Sequence, residues 1–187
     1  PFSETIKMTL ATERFHNIHD VQESGNIAIT ADFVNATSQE RQFNYKARMA
    51  DFDGNEVFTD VGNAQIIGET GVIKRVFKPK LSRLGFYKLI LEATDTITGE
   101  EFRRFLTLGI IKSVQRSKPP EPSGRFGVTF FARDPEPAKT IAQTGITWTR
   151  EDIYWINMEP TRGTYNWSMD TRIANATDAG LWILPVN

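Results

Sequence analysis

The chain has 187 residues, 40% of them hydrophobic, which is enough to bury a core in one large domain or two small ones. Its formal net charge of −1 is spread evenly: residues 1–116 carry 15 basic and 15 acidic side chains, and the remainder carries 7 and 8. We therefore expect no basic surface for nucleic acid or an anionic membrane, and neither is predicted as a partner. The sequence contains no cysteine, which excludes disulfides and thiolate metal sites.

The sequence carries no apolar run near the roughly 20 residues that cross a bilayer. It begins at Pro1 without a charged and apolar leader, as a processed or trimmed protein would. We therefore expect a secreted or periplasmic protein whose signal has been removed.

From Glu4 to Lys112 the chain alternates short runs rich in Val, Ile, Phe, Tyr and Thr with turn-forming residues, a pattern typical of an all-β domain. About seven strands are predicted: Thr5–Ala11, Asn26–Asn35, Phe43–Ala50, Glu56–Phe58 with Ala64–Ile67, Val72–Lys78, Gly85–Ala93 and Glu101–Ile111. Apolar residues alternate with polar ones along the second and sixth of these, so one face of each strand is expected to be buried. Residues 1–112 are thus predicted to form a β-sandwich, resembling immunoglobulin-like modules in the segment Leu84-Gly-Phe-Tyr87.

Two features of this domain could carry a function, a histidine pair and a set of aromatic rings. His16 and His19 have a spacing that could place two imidazoles on one metal, but the chain has no third histidine, so a solvated loop is favoured and no metal is expected. The domain has ten Phe and two Tyr but no Trp, and most of the Phe fit core positions. Independent sugar binding by the sandwich is therefore the less favoured interpretation.

Residues 113–124 hold three of the nine prolines and almost nothing apolar, which indicates an exposed linker between domains. After the linker the periodicity changes. The predicted elements are a strand over Phe126–Phe131, a helix over Pro135–Thr144, a strand over Ile146–Thr149, a helix over Ser168–Ala179 and a strand over Leu181–Val186. Apolar strands that alternate with helices indicate a parallel sheet covered by helices, and here they predict the first three strand-helix units of a (β/α)8 TIM barrel over residues 125–187. All four tryptophans, at 148, 155, 167 and 182, lie in this part.

A family resemblance becomes specific in the same region. The residues that carry it are Gly145-Ile-Thr-Trp-Thr-Arg150, Trp155, Glu159-Pro160, Gly163, Tyr165, Trp167, Asp170 and Gly180-Leu-Trp182. This run resembles the opening of clan A glycoside hydrolases, especially β-galactosidase-like and β-xylosidase-like families, over about 60 residues. The resemblance implies retaining hydrolysis of glycosidic bonds by an acid/base and a nucleophilic glutamate, and it places both of these after strands beyond the 187 residues. It therefore implies no catalytic residue in this chain, and no cofactor.

Only supporting residues carry over from the family. Arg150, at a strand end, is expected to hold the nucleophile ionised and oriented. Phe130, Arg133 and Asn187 follow strands at places where the family lines its substrate cleft, with ordinary loop chemistry as the equal alternative. Trp155 is expected either to stack on a sugar ring or to pack with Tyr165 and Trp167 as a plug that fixes the loop.

The segment Asn157-Met-Glu-Pro160 looks like the catalytic Asn-Glu-Pro signature of the family, which would make Glu159 a catalytic residue. Met158 separates Asn157 from Glu159, and the segment follows the wrong strand, so a carboxylate that satisfies loop amides is the favoured interpretation.

The favoured function is the N-terminal portion of a retaining glycoside hydrolase that acts on oligo- or polysaccharides, inactive as these 187 residues alone. The alternative is a non-catalytic β-sandwich module for carbohydrate binding or assembly. A carbohydrate substrate is the expected partner. A part-barrel would leave open strand edges, so self-association through that edge is also expected.

Overall fold

The computed structural model describes residues 5–67, 71–114 and 126–186. The chain divides into two compact units, Pro1–Ile111 and Lys112–Asn187. Among the described residues, no helix has both the length and the apolar character needed to span a bilayer. Most of the predicted linker 113–124 lies outside the described residues, as does Asn187.

The first unit is built from eight strands in two sheets. The strands are β1 (Ile6–Ala11), β2 (Ile18–Asp20), β3 (Ile29–Asn35), β4 (Arg41–Asp51), β5 (Glu56–Ile66), β6 (Val72–Phe77), β7 (Gly85–Asp95) and β8 (Glu101–Ile111). One sheet has the order β1-β3-β6 and the other the order β2-β8-β7-β4-β5. All pairings are antiparallel except that of β2 with β8.

A single core joins the two sheets of this unit. Residues at alternate positions of β3, β4 and β7 are buried, as expected for strands with one covered face. The ring of Phe33 in β3 stacks on that of Phe43 in β4 at 4.6 Å between centroids, and Phe33 also contacts Tyr45 at 5.8 Å. These aromatic contacts join the two sheets across their buried faces.

Most predicted strands of the first unit are found within a few residues of their expected limits, and β8 coincides with the predicted Glu101–Ile111. The predicted interruption at 59–63 is wrong, because β5 continues through it and pairs with β4 along its whole length. Gly62 explains the difference: a Cβ there would lie 2.6 Å from the Tyr45 hydroxyl oxygen, so the glycine makes room for a ring of the neighbouring strand. The glycine therefore serves packing within a continuous strand.

The second unit contains three short strands and three short helices among its described residues. They are β9 (Val128–Thr129), α1 (Pro135–Gln143), β10 (Trp148–Asp152), α2 (Trp155–Met158), α3 (Asp170–Asp178) and β11 (Trp182–Val186). The strands form a parallel sheet in the order β11-β10-β9. Its core consists mainly of small residues, with Ala132, Ala138, Ala142, Ala176 and Leu181 buried.

Local sequence explains where α1 begins. The Asp134 side chain accepts a hydrogen bond from the backbone N–H of Glu136 at 2.9 Å, and Pro135 occupies the first helical position. Gly127 explains how β9 approaches β10, since a Cβ at this position would lie 2.2 Å from the Trp148 indole.

The predicted fold class, an immunoglobulin-like sandwich followed by the first three strand-helix units of a (β/α)8 TIM barrel, is wrong. Strands make up 48% of the structure, and its only three helices among the described residues are short, so the strand-helix units of a barrel are not formed. The apolar run Phe126–Phe131 contributes only the two residues of β9, with Phe126 and Phe131 exposed.

Candidate functional site at the ends of the parallel strands

The carboxyl ends of β9, β10 and β11 lie at one edge of the parallel sheet, and ligands of open parallel sheets generally bind beyond that edge. Two segments with polar and aromatic side chains follow there. Residues 130–134 connect β9 to α1, and residues 153–169 connect β10 to α3. We call the second segment the aromatic loop.

The aromatic loop is compact despite its length. Its backbone is closed by a hydrogen bond from Asn166 N–H to the Met158 carbonyl at 2.8 Å and by a bridge between Thr161 and Thr164. Gly163 turns the chain with a φ of 82°, a conformation that side chains disfavour. These contacts hold the loop in one shape and leave most of its side chains exposed.

Trp155 is fixed and exposed at the same time. Its indole N–H donates to Glu159 Oε2 at 3.0 Å, while Glu159 Oε1 accepts from the backbone N–H of Gly163 at 2.7 Å. The side chain nevertheless remains 58% exposed. Both oxygens of Glu159 are thus occupied by loop donors, which supports the structural interpretation of this carboxylate and provides no free acid for catalysis.

Tyr165 and Trp167 form a second exposed aromatic group in the loop. Their rings stack at 5.8 Å between centroids with an interplanar angle of 23°. Both remain about half exposed, as does Tyr154. The predicted plug therefore takes a different form, because Tyr165 and Trp167 pack on each other while Trp155 is held by Glu159.

Arg150 lies in β10 between Thr129 of β9 and Leu184 of β11. Its guanidinium Nη2 contacts Asp152 Oδ1 at 2.7 Å, and the arginine side chain is 42% exposed. An arginine with this exposure is available to an anionic group at the edge, but its expected partner, a nucleophilic carboxylate, is not among the residues described.

Arg133 belongs to a cluster that the sequence did not predict. Phe131 follows β9, and the guanidinium carbons of Arg172 and Arg133 lie 4.8 and 5.8 Å from the centroid of its ring. Arg172 also forms an ion pair with Glu151 of β10, whose side chain is only 2% exposed. Burial, with the charge of Arg133 as a second cause, lowers the pKa of Arg172. Arginine is so strongly basic that the guanidinium stays charged at neutral pH.

The remaining predicted site residues differ in their surroundings. Phe130 is half-buried and packs against the core of the second unit, so its ring serves packing in this structure. Asn187 lies outside the described residues. The structure places Arg133, Arg150 and Trp155 in three separate contact groups that follow β9 and β10.

Sequence reasoning missed Glu151, Arg172 and Phe131. The predicted strand ended at Thr149, whereas in the structure Glu151 lies within β10 and is buried. A buried carboxylate needs a cationic partner. The partner itself was not predictable, because Arg172 belongs to a helix whose orientation only the folded unit defines.

The two histidines of the first unit do not form a metal centre. Within residues 5–67, 71–114 and 126–186, no group of three His, Cys, Asp or Glu side chains is arranged to hold a metal ion. His19 is buried beside a cavity of about 260 Å³ lined by residues including Glu13, Arg14 and Glu23. Burial lowers the pKa of His19, so the imidazole is neutral at pH 7.

No family model matches the chain, and no curated protein matches it by sequence. Solved structures with some similarity include red sea bream transglutaminase, at 4% identity and a TM-score of 0.45. They also include a Bacteroides uniformis β-glucuronidase, at 11% identity and a TM-score of 0.38, and a family 123 glycoside hydrolase from Clostridium perfringens, at 10% and 0.41. These alignments cover 58%, 94% and 80% of this chain but only 16%, 27% and 38% of the other proteins. Similarities at this level include glycoside hydrolases but define no family.

Proposed function

We propose that the second unit binds carbohydrate at the carboxyl edge of its parallel sheet, as part of a glycoside hydrolase. One observation carries this proposal: the aromatic loop exposes Trp155 on a backbone that is already fixed. Sugar rings bind to the faces of exposed aromatic side chains because their C–H groups form an apolar surface that matches the ring. A platform that needs no ordering on binding loses less conformational entropy than a mobile one.

The polar groups around the loop support the same function. Arg150 and Asp152 present charged hydrogen-bonding groups at the end of β10, which suit the hydroxyl groups of a sugar. Glu159 acts as a positioning residue, because its two hydrogen bonds orient the Trp155 indole and close the turn at Gly163. The proposal assigns binding to these side chains and assigns bond cleavage to none of them.

Intrinsic fluorescence tests the proposal directly, because all four tryptophans lie in the second unit. The chain is titrated with a panel of neutral oligosaccharides, including xylo-, cello- and galacto-oligosaccharides. We expect saturable quenching or enhancement for at least one probe. Trp155→Ala should weaken that binding about tenfold, the effect typical of a central aromatic contact.

Phe105→Ala is the matched control. Phe105 is an aromatic side chain of the first unit that is 66% exposed. Isothermal titration calorimetry compares the two variants, because it detects binding to either unit, whereas tryptophan fluorescence reports the second unit. If Phe105→Ala abolishes binding and Trp155→Ala does not, the ligand binds the first unit and the proposal is wrong. Hydrolysis of aryl glycosides by the intact protein tests the enzymatic part separately.

A second candidate function rests on that same exposed face of the first unit. Lys88 Nζ lies 5.0 Å from the centroid of the Phe105 ring, and Phe86 is also exposed on the same pair of strands. Exposed rings on a sheet favour a carbohydrate-binding or assembly module, the alternative that the sequence left open. The Phe105→Ala variant separates the two candidates.

A further inference from the structure

The cluster around Phe131 carries an excess of positive charge close to the proposed binding edge. Two guanidinium groups, those of Arg133 and Arg172, lie within 6 Å of one aromatic ring. Glu151 neutralises Arg172 through the buried ion pair. Arg133 is exposed, and within the part of the chain that the structure describes no carboxylate is paired with it.

The neighbouring acidic group is already engaged elsewhere. Asp134, next in the chain, caps α1 by accepting the hydrogen bond from Glu136 N–H. The backbone N–H of Arg133 donates to the Phe131 carbonyl at 2.8 Å. This main-chain hydrogen bond keeps the two residues close together. The unneutralised guanidinium of Arg133 also contributes to the lowered pKa of Arg172. One fixed positive charge is thus left over beside a half-exposed phenyl ring.

We propose that Arg133 binds the carboxylate of a uronic acid unit, with the exposed side of Phe131 supporting the sugar ring. This inference rests on the carbohydrate binding proposed above and adds its charge preference. A guanidinium matches the two oxygens of a carboxylate in a bidentate geometry, which an ammonium does not. If Arg133 is only a solvated surface arginine without a ligand, glucuronate and glucose should bind equally.

D-glucuronate and D-glucose are the appropriate pair of probes, because they differ at the sixth carbon alone. Binding is followed by NMR of the arginine Nε–H signals, with the Arg133 signal assigned by its loss in Arg133→Gln. We expect glucuronate to shift the Arg133 signal and to bind at least about tenfold more tightly than glucose, as a charge-assisted hydrogen bond implies. Added salt should weaken glucuronate binding and leave glucose binding unchanged.

Variants separate the carboxylate contact from general charge. Arg133→Gln should remove the preference for glucuronate. Arg133→Lys keeps the positive charge but loses the bidentate guanidinium, so it should retain only part of the preference. Arg75→Gln, in β6 of the first unit, removes the same amount of charge from a partly exposed arginine and should leave the preference intact. Tryptophan-monitored unfolding confirms that the Arg133 variants are folded, and circular dichroism does so for Arg75→Gln.

Three results would overturn the inference. The first is equal affinity for glucose and glucuronate, and the second is an Arg133 signal that neither probe shifts. The third is binding of acetate and sulfate as tight as that of glucuronate, which would indicate a general anion contact. In each case neutral oligosaccharides can still bind at Trp155, so the proposed function stands. Loss of all oligosaccharide binding in the fluorescence assay would instead refute the proposed function itself.

Discussion

The buried ion pair between Glu151 and Arg172 yields the sharpest prediction about stability. Glu151→Gln removes the negative charge and leaves the guanidinium of Arg172 unpaired in a site where its side chain is 18% exposed. Breaking a fully buried pair costs about 3–5 kcal/mol, and the residual exposure of Arg172 reduces the expected cost to about 2–3 kcal/mol. A unit the size of residues 112–187 has a total free energy of unfolding of about 4–11 kcal/mol, so this loss is a large share of it.

Urea unfolding of the whole chain, followed by tryptophan fluorescence, reports the second unit alone because all four tryptophans lie there. With a denaturant slope near 1 kcal/mol per molar for so small a unit, the midpoint should fall by about 2–3 M. Asp152→Asn is the matched control from the same strand. Its partner Arg150 is 42% exposed, so the loss of that pair should cost less than about 1 kcal/mol.

A double-mutant cycle isolates the interaction from other contacts of Arg172, including the one with Phe131. The double variant Glu151→Gln/Arg172→Gln should lose less free energy of unfolding than the two single variants lose together. The difference should be at least about 1 kcal/mol. Strict additivity, or a Glu151→Gln midpoint within error of the parent, would refute the reasoning, since either would mean that the two charges do not stabilise each other in the folded unit.

Three further predictions concern single positions. Gly127→Ala should destabilise the second unit by about 1–3 kcal/mol because its Cβ would overlap the Trp148 indole, and in a Trp148→Leu background the same substitution should cost almost nothing in urea unfolding. Burial lowers the folded-state pKa of His19, so the stability of the first unit should be complete above the ordinary histidine pKa of 6.5 and should fall as the pH drops below it. In thermal unfolding followed by circular dichroism, this pH-dependent loss of stability should disappear in His19→Gln and persist in His16→Asn. The reverse pattern would show that His16 causes the loss and would contradict the prediction. Asp134→Ala should cost about 1 kcal/mol through loss of the α1 cap, Asp134→Asn should retain most of that stability, and equal unfolding midpoints for the two variants would contradict the capping role.

Much of the local structure was predictable because its causes lie within a few residues. The strand over Glu101–Ile111 follows from alternation of apolar and polar residues, and the start of α1 follows from Asp134 and Pro135. The turns at Gly54 and Gly99 have positive φ angles of 85° and 74°, as their positions between strands indicated.

The errors came from features that depend on distant contacts. The interruption predicted over residues 59–63 is absent, because β5 pairs with β4 through this segment and Gly62 accommodates Tyr45 from the neighbouring strand. The predicted barrel units failed because strand and helix signals say nothing about how many strands a sheet collects or how long each becomes. In the structure, β9 has two residues, and the parallel sheet has three strands among the described residues.

The candidate site divides in the same way. The sequence by itself determined that the aromatic and charged residues cluster after Trp148, since Arg150, Trp155 and Trp167 follow one another within 18 positions. Only the tertiary structure decided that Arg172 pairs with Glu151 and lies over Phe131. The physical reason is one of range: backbone preferences act between near neighbours, whereas the compensation of a buried charge depends on whichever side chains the packed elements bring within a few ångströms.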